Sequence, residues 1–337
     1  MDNTYAQELK TQLNITLRNN PKAHPSNDKW TVSNEPNIAY EVEPDFANQY
    51  PDMGQAYEKF SKEYGIPRDN FILTSGTEAS LRITLSAIRI ALADHAYKTN
   101  FLYGSPGWGL APIIAEQEGF SPLKMEYEYF PKFQRDGGKE IDNAFIIPNE
   151  YDIINHNKGS VLYSTSICNG YFRTSDFDPD VDPRMASVLS DESIVKIFDE
   201  VYHAQVLNNI CNSPVDSIGS DAFIIGGYSK LLGCGIRLGY ILYNSKWNII
   251  MQHQRENYIS PFACLNAGVH IPNLASILLD AVHDFENEDD KDWRKKCVSF
   301  HPNYALIKAQ DYDGPEDRIN AKITISNQEF YRLGMPK

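Results

Sequence analysis

Residues 223–242 read FIIGGYSKLLGCGIRLGYIL and place a single lysine, Lys230, between two apolar runs. The runs at 223–225 and 238–242 predict strands buried on both faces, as in the sheets of α/β proteins. A glycine-rich turn and Arg237 lie between them. A lysine at the rim of a core is suited to bond covalently to a carbonyl group, and an arginine nearby suits a phosphate. The alternative is a solvated loop lysine beside a surface arginine.

This stretch resembles the cofactor-lysine motif of fold-type I enzymes that depend on pyridoxal phosphate. The motif consists of a serine-lysine pair, a glycine-rich loop and Arg-x-Gly-Tyr, which in this chain are Ser229-Lys230, Gly233-Cys234-Gly235 and Arg237-Leu238-Gly239-Tyr240. The resemblance implies that Lys230 holds the cofactor as a Schiff base, with Ser229 and Arg237 as further cofactor contacts. Two features depart from the motif. Gly227 stands where the family usually has a hydroxyl residue, and the loop before Arg237 is one residue shorter.

A second segment has a carboxylate at the end of a predicted strand. Residues 199–202, Asp-Glu-Val-Tyr, resemble the Asp-Glu-x-Tyr segment of the same family. The resemblance implies that Asp199 pairs with the pyridine nitrogen and keeps it protonated, while Tyr202 and Asn169 share the ring oxygen. Asn169 occupies a loop in which the family's two prolines are missing. The alternative for Asp199 is a cap for the next helix.

A turn of small residues, Ser75-Gly76-Thr77, separates a brief predicted strand from a long predicted helix. Free backbone N–H groups and the positive end of the helix dipole make such a turn an anion site. An ordinary helix cap is the alternative. In the family this turn binds the cofactor phosphate, so the resemblance assigns Ser75, Gly76 and Thr77 to cofactor binding. Trp108 stands where the family stacks an aromatic ring on the pyridine, although a core tryptophan is the alternative.

Three further expectations come from the resemblance. Tyr50, in a Tyr-Pro turn, corresponds to a tyrosine that reaches the cofactor of the neighbouring subunit, which implies a homodimer; a buried turn tyrosine is the alternative. Asn34 lies in a segment similar to one in histidinol-phosphate aminotransferases and is a candidate substrate contact. Lys322 stands where the family has an arginine for the substrate carboxylate. Lysine offers a point charge instead of a fork there.

Composition excludes several classes of protein. With 337 residues, the chain is long enough for one large and one smaller domain. The formal net charge of −14 predicts neither a nucleic-acid nor a membrane surface. The 5 cysteines include no CxxC pair, which argues against a disulfide framework and against a zinc site. Without an apolar signal segment or a run of about 18 apolar residues, we expect a cytoplasmic protein.

The segments occur in the order in which the family uses them, each at a strand end or in a loop. We therefore predict an α/β protein of the pyridoxal-phosphate transferase fold type I. Its three-layer large domain, with a mostly parallel sheet, spans residues 46–245. A small, shortened α+β domain comprises residues 1–45 and 246–337.

The function implied by the resemblance is a pyridoxal-phosphate-dependent aminotransferase. It would move an amino group between an amino acid and a 2-oxo acid, with Lys230, Asp199 and Tyr202 as catalytic residues and no metal. Two alternatives remain open at this point. One is a pyridoxal-phosphate-dependent lyase, cyclase or other specialised amino-acid-modifying enzyme, and the other is a non-catalytic protein of the same fold.

Overall fold

The structure is a computed structural model, and it describes residues 54–92, 99–134, 140–165, 167–168, 172–173, 185–202, 221–229, 237–257, 296–301 and 304–334. The α-helices within these ranges are α1 (Gly54–Tyr64), α2 (Thr77–Leu92), α3 (Leu110–Gln117), α4 (Glu150–His156), α5 (Met185–Ser190) and α6 (Asn248–Asn257). The strands are β1 (Phe71–Thr74), β2 (Asn100–Ser105), β3 (Ser121–Glu126), β4 (Glu128–Phe133), β5 (Ile141–Ile146), β6 (Val161–Ser164), β7 (Ile167–Cys168), β8 (Phe172–Arg173), β9 (Val195–Asp199), β10 (Ala222–Gly227), β11 (Gly239–Tyr243), β12 (Cys297–His301), β13 (Tyr304–Lys308), β14 (Ile319–Ile325) and β15 (Gln328–Gly334).

Seven strands form one sheet in the order β1-β11-β10-β9-β6-β2-β3. From β10 through β3, each strand is parallel to its neighbour. The exception is β11, which runs antiparallel to both β1 and β10. The prediction of an α/β protein with a mostly parallel sheet is therefore confirmed.

Three strands of this sheet are short, mostly apolar runs with no exposed face. All residues of β1, β6 and β11 are buried. Helices therefore cover both sides of the sheet, as continuous apolar runs require. The two predicted strands of the opening stretch become β10 and β11, which pair along the sheet.

Two hydrophobic layers lie against the sheet. In one layer, α2 packs across β10 and β11 and contacts α3 and α6. The other layer contains Ile154 of α4 and Val188 of α5, together with Leu102 and Leu162 of the sheet. These layers confirm the three-layer architecture.

The C-terminal strands form a separate sheet of four antiparallel strands, in the order β12-β13-β15-β14. Leu306, Ile325 and Phe330 of this sheet belong to the same buried cluster as Leu102 and Leu162. The second sheet therefore packs on the first through a shared apolar core. The division into domains at residues 45 and 245 stays a prediction.

Candidate active site

A cavity of about 200 Å³ lies at the edge of the large sheet where its parallel strands end. Open α/β folds bind their ligands at this edge, because the loops that follow the strands converge there. Among the residues predicted from the sequence, those lining the cavity are Gly76, Thr77, Trp108, Asp199, Tyr202, Ser229 and Arg237. Residues separated by up to 161 positions in the chain therefore meet at one cavity (237 − 76).

The cationic end of the cavity, formed by Gly76, Thr77, Ser229 and Arg237, combines a helix N-terminus with a guanidinium group. Arg237 Nη2 donates a hydrogen bond of 2.7 Å to the carbonyl oxygen of Ser75. Both Gly76 (φ 107°) and Arg237 (φ 52°) have a positive φ. For a non-glycine residue this conformation costs free energy, and such strain concentrates at functional sites.

Glycines let two backbone segments approach each other at this end. A Cβ on Gly239 would lie 2.7 Å from the Cα of Gly76, and a Cβ on Gly76 would lie 3.3 Å from Arg237 Nη2. The first distance is shorter than any real carbon contact, so Gly239 must stay without a side chain. Glycine at these positions thus brings the start of β11 against the start of α2.

The hydroxyl group of Thr77 is buried and has no hydrogen-bond partner among the residues that the structure describes. Thr77 is the first residue of α2, where backbone N–H groups also lack intrahelical acceptors. A Cβ on Gly227 would lie 3.2 Å from Thr77 Oγ1. Gly227, which stands where the family usually has a hydroxyl residue, therefore leaves space beside the hydroxyl group of Thr77. An unsatisfied buried donor next to a helix N-terminus fits an anionic ligand.

At the carboxylate end, formed by Tyr163, Asp199, Val201 and Tyr202, Asp199 is only 4% exposed. Tyr163 Oη donates a hydrogen bond of 2.5 Å to Asp199 Oδ2, and the backbone N–H of Val201 donates one of 3.1 Å to Oδ1. Burial, and then the charge of Asp199, raises the pKa of Tyr163 well above its ordinary value. The phenol therefore keeps its proton and serves as a donor to the carboxylate.

Aromatic and sulfur-containing side chains line the walls between the two ends. Trp108 lies in the turn before α3 and packs on the core with part of its ring. Tyr202 is buried against Tyr304 of the second sheet, with ring centroids 6.3 Å apart. The buried thiol of Cys168 donates a hydrogen bond to the carbonyl oxygen of Pro106. The walls are thus mostly apolar, as in other small-molecule sites.

Six of the predicted site residues are not among those that line this cavity in the described structure. Ser75 is one of them, although its carbonyl oxygen accepts the hydrogen bond from Arg237. Tyr50, Asn34, Asn169 and Lys230 lie outside the described residues. Lys322 is exposed on β14, its ammonium group is 5.2 Å from the ring centroid of Tyr331, and it does not line the cavity.

Sequence reasoning missed Tyr163, Cys168 and Tyr127, all of which line the cavity. Tyr163 falls within an apolar strand pattern, which by itself predicts a core residue. A buried tyrosine hydroxyl usually has a hydrogen-bond partner, so the tyrosine in that strand was the available signal. No comparable signal marks Cys168 or Tyr127 in the sequence.

Within the part of the chain that the structure describes, no group of histidine, cysteine, aspartate and glutamate side chains is placed to hold a metal ion. No helix in these ranges is long and apolar enough to cross a membrane.

Solved structures of three proteins have a similar fold. The histidinol-phosphate aminotransferase of Clostridium acetobutylicum is similar with a TM-score of 0.55 and 15% identity, over 86% of each chain. An Escherichia coli protein with a methionine aminotransferase function has a TM-score of 0.54 and 14% identity, over 87% of this chain and 83% of its own. Cystalysin of Treponema denticola, which contains a pyridoxal 5′-phosphate cofactor, has a TM-score of 0.53 and 12% identity, over 86% of this chain and 79% of its own. The chain thus has the fold of the fold-type I pyridoxal-phosphate-dependent transferases. No family model and no curated protein matches the sequence.

Proposed function

We propose that the protein is a pyridoxal-phosphate-dependent aminotransferase that moves an amino group between an amino acid and a 2-oxo acid. One observation carries the proposal: a single cavity has a cation and a helix N-terminus at one end and a buried carboxylate at the other. These groups match the phosphate and the ring nitrogen of pyridoxal phosphate. The fold and its aminotransferase neighbours support the same function.

The residues at the cationic end fit a phosphate group. Arg237 supplies positive charge, and α2 supplies backbone N–H groups and its dipole. The unpartnered hydroxyl of Thr77 supplies a further donor. Ser229 adds another hydroxyl at the cavity wall. We propose that these groups anchor the cofactor at its phosphate.

The carboxylate end acts on the ring. When bound, pyridoxal phosphate serves as an electron sink for bond breaking at the α-carbon of an amino acid. Asp199, which accepts hydrogen bonds from Tyr163 and from the N–H of Val201, would pair with the ring nitrogen and favour its protonated form. Tyr202 donates to the ring oxygen, and Trp108 covers one ring face. Both aromatic side chains also exclude water from the site, which strengthens the pairing with Asp199.

The proposal assigns roles to four residues outside the described ranges. Lys230 is the covalent attachment point, and its free amine moves the proton at the α-carbon of the amino acid. Asn169 shares the ring oxygen with Tyr202. Tyr50 acts on the cofactor of the neighbouring subunit, so the active unit is a homodimer, and Asn34 contacts the substrate. The proposed compartment is the cytoplasm.

Borohydride reduction tests the assignment of the cofactor. The purified protein, loaded with pyridoxal phosphate and reduced, should contain a pyridoxyl group on the peptide that includes Lys230. The label should be absent in Lys230→Ala and present in the control Lys132→Ala, which removes an exposed lysine paired with Glu140. A protein that binds no pyridoxal phosphate, or a label on another lysine, contradicts the proposal.

The position of Lys322 favours a second candidate function. Lys322 is exposed and does not line the cavity, so it does not take the place of the family arginine that binds the substrate carboxylate. An elimination or another specialised reaction on an amino acid is therefore the alternative. Mixing the loaded enzyme with L-methionine, L-phenylalanine or L-histidinol phosphate separates the two. A transaminase converts its cofactor to pyridoxamine phosphate, whereas a lyase acting on L-methionine releases methanethiol, ammonia and 2-oxobutanoate and regains its original spectrum.

A further inference from the structure

We propose that Tyr163 is a positioning residue: its phenol holds the Asp199 carboxylate in place and sets how strongly Asp199 pairs with the ring nitrogen of pyridoxal phosphate. The inference rests on the proposed function and adds a residue to it. It starts from the 2.5 Å hydrogen bond between Tyr163 Oη and Asp199 Oδ2.

The sheet fixes both partners of this hydrogen bond. Tyr163 lies on β6 and Asp199 is the last residue of β9, and these strands are parallel neighbours. The ring of Tyr163 packs against Phe101 on β2, with centroids 5.6 Å apart. Since Tyr163 is 6% exposed, its hydroxyl meets Asp199 away from bulk water. The phenol is thus held by a rigid element and does not depend on a loop.

Two neutral donors hold the carboxylate. Tyr163 binds Oδ2 and the N–H of Val201 binds Oδ1, so each oxygen is fixed without the addition of a positive charge. Hydrogen bonds to a carboxylate favour its charged form. A cation in the place of the phenol would neutralise Asp199 and compete with a protonated ring nitrogen. A phenol is neutral, so it donates to Asp199 without itself neutralising the carboxylate.

Removal of the Tyr163 hydroxyl should therefore weaken the pairing of Asp199 with the ring nitrogen and have little effect on the packing of the Tyr163 ring. The Tyr163→Phe variant keeps the ring contact with Phe101. The matched control is Tyr57→Phe, which also removes a buried tyrosine hydroxyl, in this case one that accepts the N–H of Leu73 at 3.0 Å. Tyr57 does not line the cavity. A purely structural role predicts the same behaviour for both variants.

The experiment compares the affinities for pyridoxal phosphate and for 1-deazapyridoxal phosphate, in which the ring nitrogen is replaced by C–H. The phosphate and the aldehyde are common to both probes, so their ratio of dissociation constants reports on the ring nitrogen alone. We expect the wild type to prefer pyridoxal phosphate by about tenfold or more, as for a hydrogen bond between charged groups. Tyr163→Phe should reduce this preference by roughly fivefold, while Tyr57→Phe keeps it.

The outcomes distinguish this inference from the proposed function. If the wild type binds neither aldehyde, the proposed function fails and the inference fails with it. If the wild type prefers pyridoxal phosphate and Tyr163→Phe retains the full preference, the proposed function stands and the role of Tyr163 is overturned.

A second measurement applies even if Tyr163→Phe does not fold. In the cofactor-free protein, 3-fluorotyrosine installed only at position 163 keeps the phenol and gives one ¹⁹F signal. Asp199→Asn should move that signal, because a charged acceptor becomes a neutral amide. The same label at position 57 should not respond. A signal at position 163 that is insensitive to Asp199→Asn overturns the inference.

Discussion

The cationic end of the cavity depends on backbone conformation, whereas the carboxylate end depends on buried side chains. At the first, Gly76 and Arg237 hold positive φ angles and the guanidinium group lies near the surface. At the second, Asp199 is buried and held by Tyr163 and Val201. Substitutions at the positive-φ positions of the cationic end should therefore affect stability and cofactor affinity together. Those at the carboxylate end should affect the chemistry.

The largest effect is expected at Asp199. Asp199→Asn keeps the shape of the side chain and removes its charge, so turnover should fall on the order of 10²–10³-fold, as for other preorganised electrostatic groups. The control is Asp221→Asn, which alters another buried carboxylate, one paired with Lys246 at 2.9 Å and outside the cavity. Steady-state turnover of both variants, measured with saturating cofactor, is the test. A loss of less than tenfold in Asp199→Asn contradicts the assignment of the carboxylate end.

Next in size is the effect of Gly76→Ala. Alanine at φ 107° is strained, and its Cβ would lie 3.3 Å from Arg237 Nη2, so the free energy of unfolding should fall by about 1–2 kcal/mol. Gly159→Ala is the control, since Gly159 has φ 85° and open space around its Cβ position. Urea titration should show a loss in both variants. Weaker pyridoxal phosphate binding in Gly76→Ala alone would support the dependence of the cationic end on backbone conformation. Equal affinity for pyridoxal phosphate in both variants would contradict it.

Thr77→Val should separate affinity from stability. Because Thr77 Oγ1 has no hydrogen-bond partner within the described part of the chain, its removal should leave the free energy of unfolding unchanged or slightly higher. The affinity for pyridoxal phosphate should fall by about tenfold, the usual value of a hydrogen bond to a charged group. The matched control is Thr84→Val, in the same helix and with the same unpartnered hydroxyl, but away from the cavity. Identical cofactor affinities in the two variants would remove Thr77 from the site.

The smallest effect is expected at Lys322, which belongs to neither end. Lys322→Ala should change stability by no more than about 0.5 kcal/mol and leave cofactor affinity and KM unchanged. Lys308→Ala is a suitable control, because its ammonium group also lies 5.2 Å from a tyrosine ring centroid. A tenfold rise in KM for the amino acid in Lys322→Ala alone would restore Lys322 as a substrate contact.

Much of the large sheet could be predicted, because its strands are apolar runs that end in polar residues or glycine. Asp199, Gly76 and Trp108 meet because loops after parallel strands converge at one edge. The direction of β11 was not available from the sequence, since a buried run has the same pattern in either orientation. The sequence of residues 121–158 does not by itself indicate a role. In the structure, β3 of this region joins the large sheet, and β4 and β5 form a hairpin.

Two parts of the site were beyond sequence reasoning for physical reasons. Tyr163 lies in a strand whose other members are core residues, and only the position of its hydroxyl relative to Asp199 reveals a polar role. The strand that contains Lys322 could be recognised, but its distance from the cavity depends on how the second sheet packs on the first. Packing between sheets is set by many long-range contacts that no local pattern records.

The glycine contact between β11 and the start of α2 has a consequence for redesign of the pocket. Since a Cβ on Gly239 would lie 2.7 Å from main-chain atoms of Gly76, this corner cannot be remodelled by side-chain exchange. Mutant libraries aimed at bulkier substrates would do better to diversify Tyr127 and Cys168, whose side chains also line the cavity. There a smaller residue creates room without displacing the main chain.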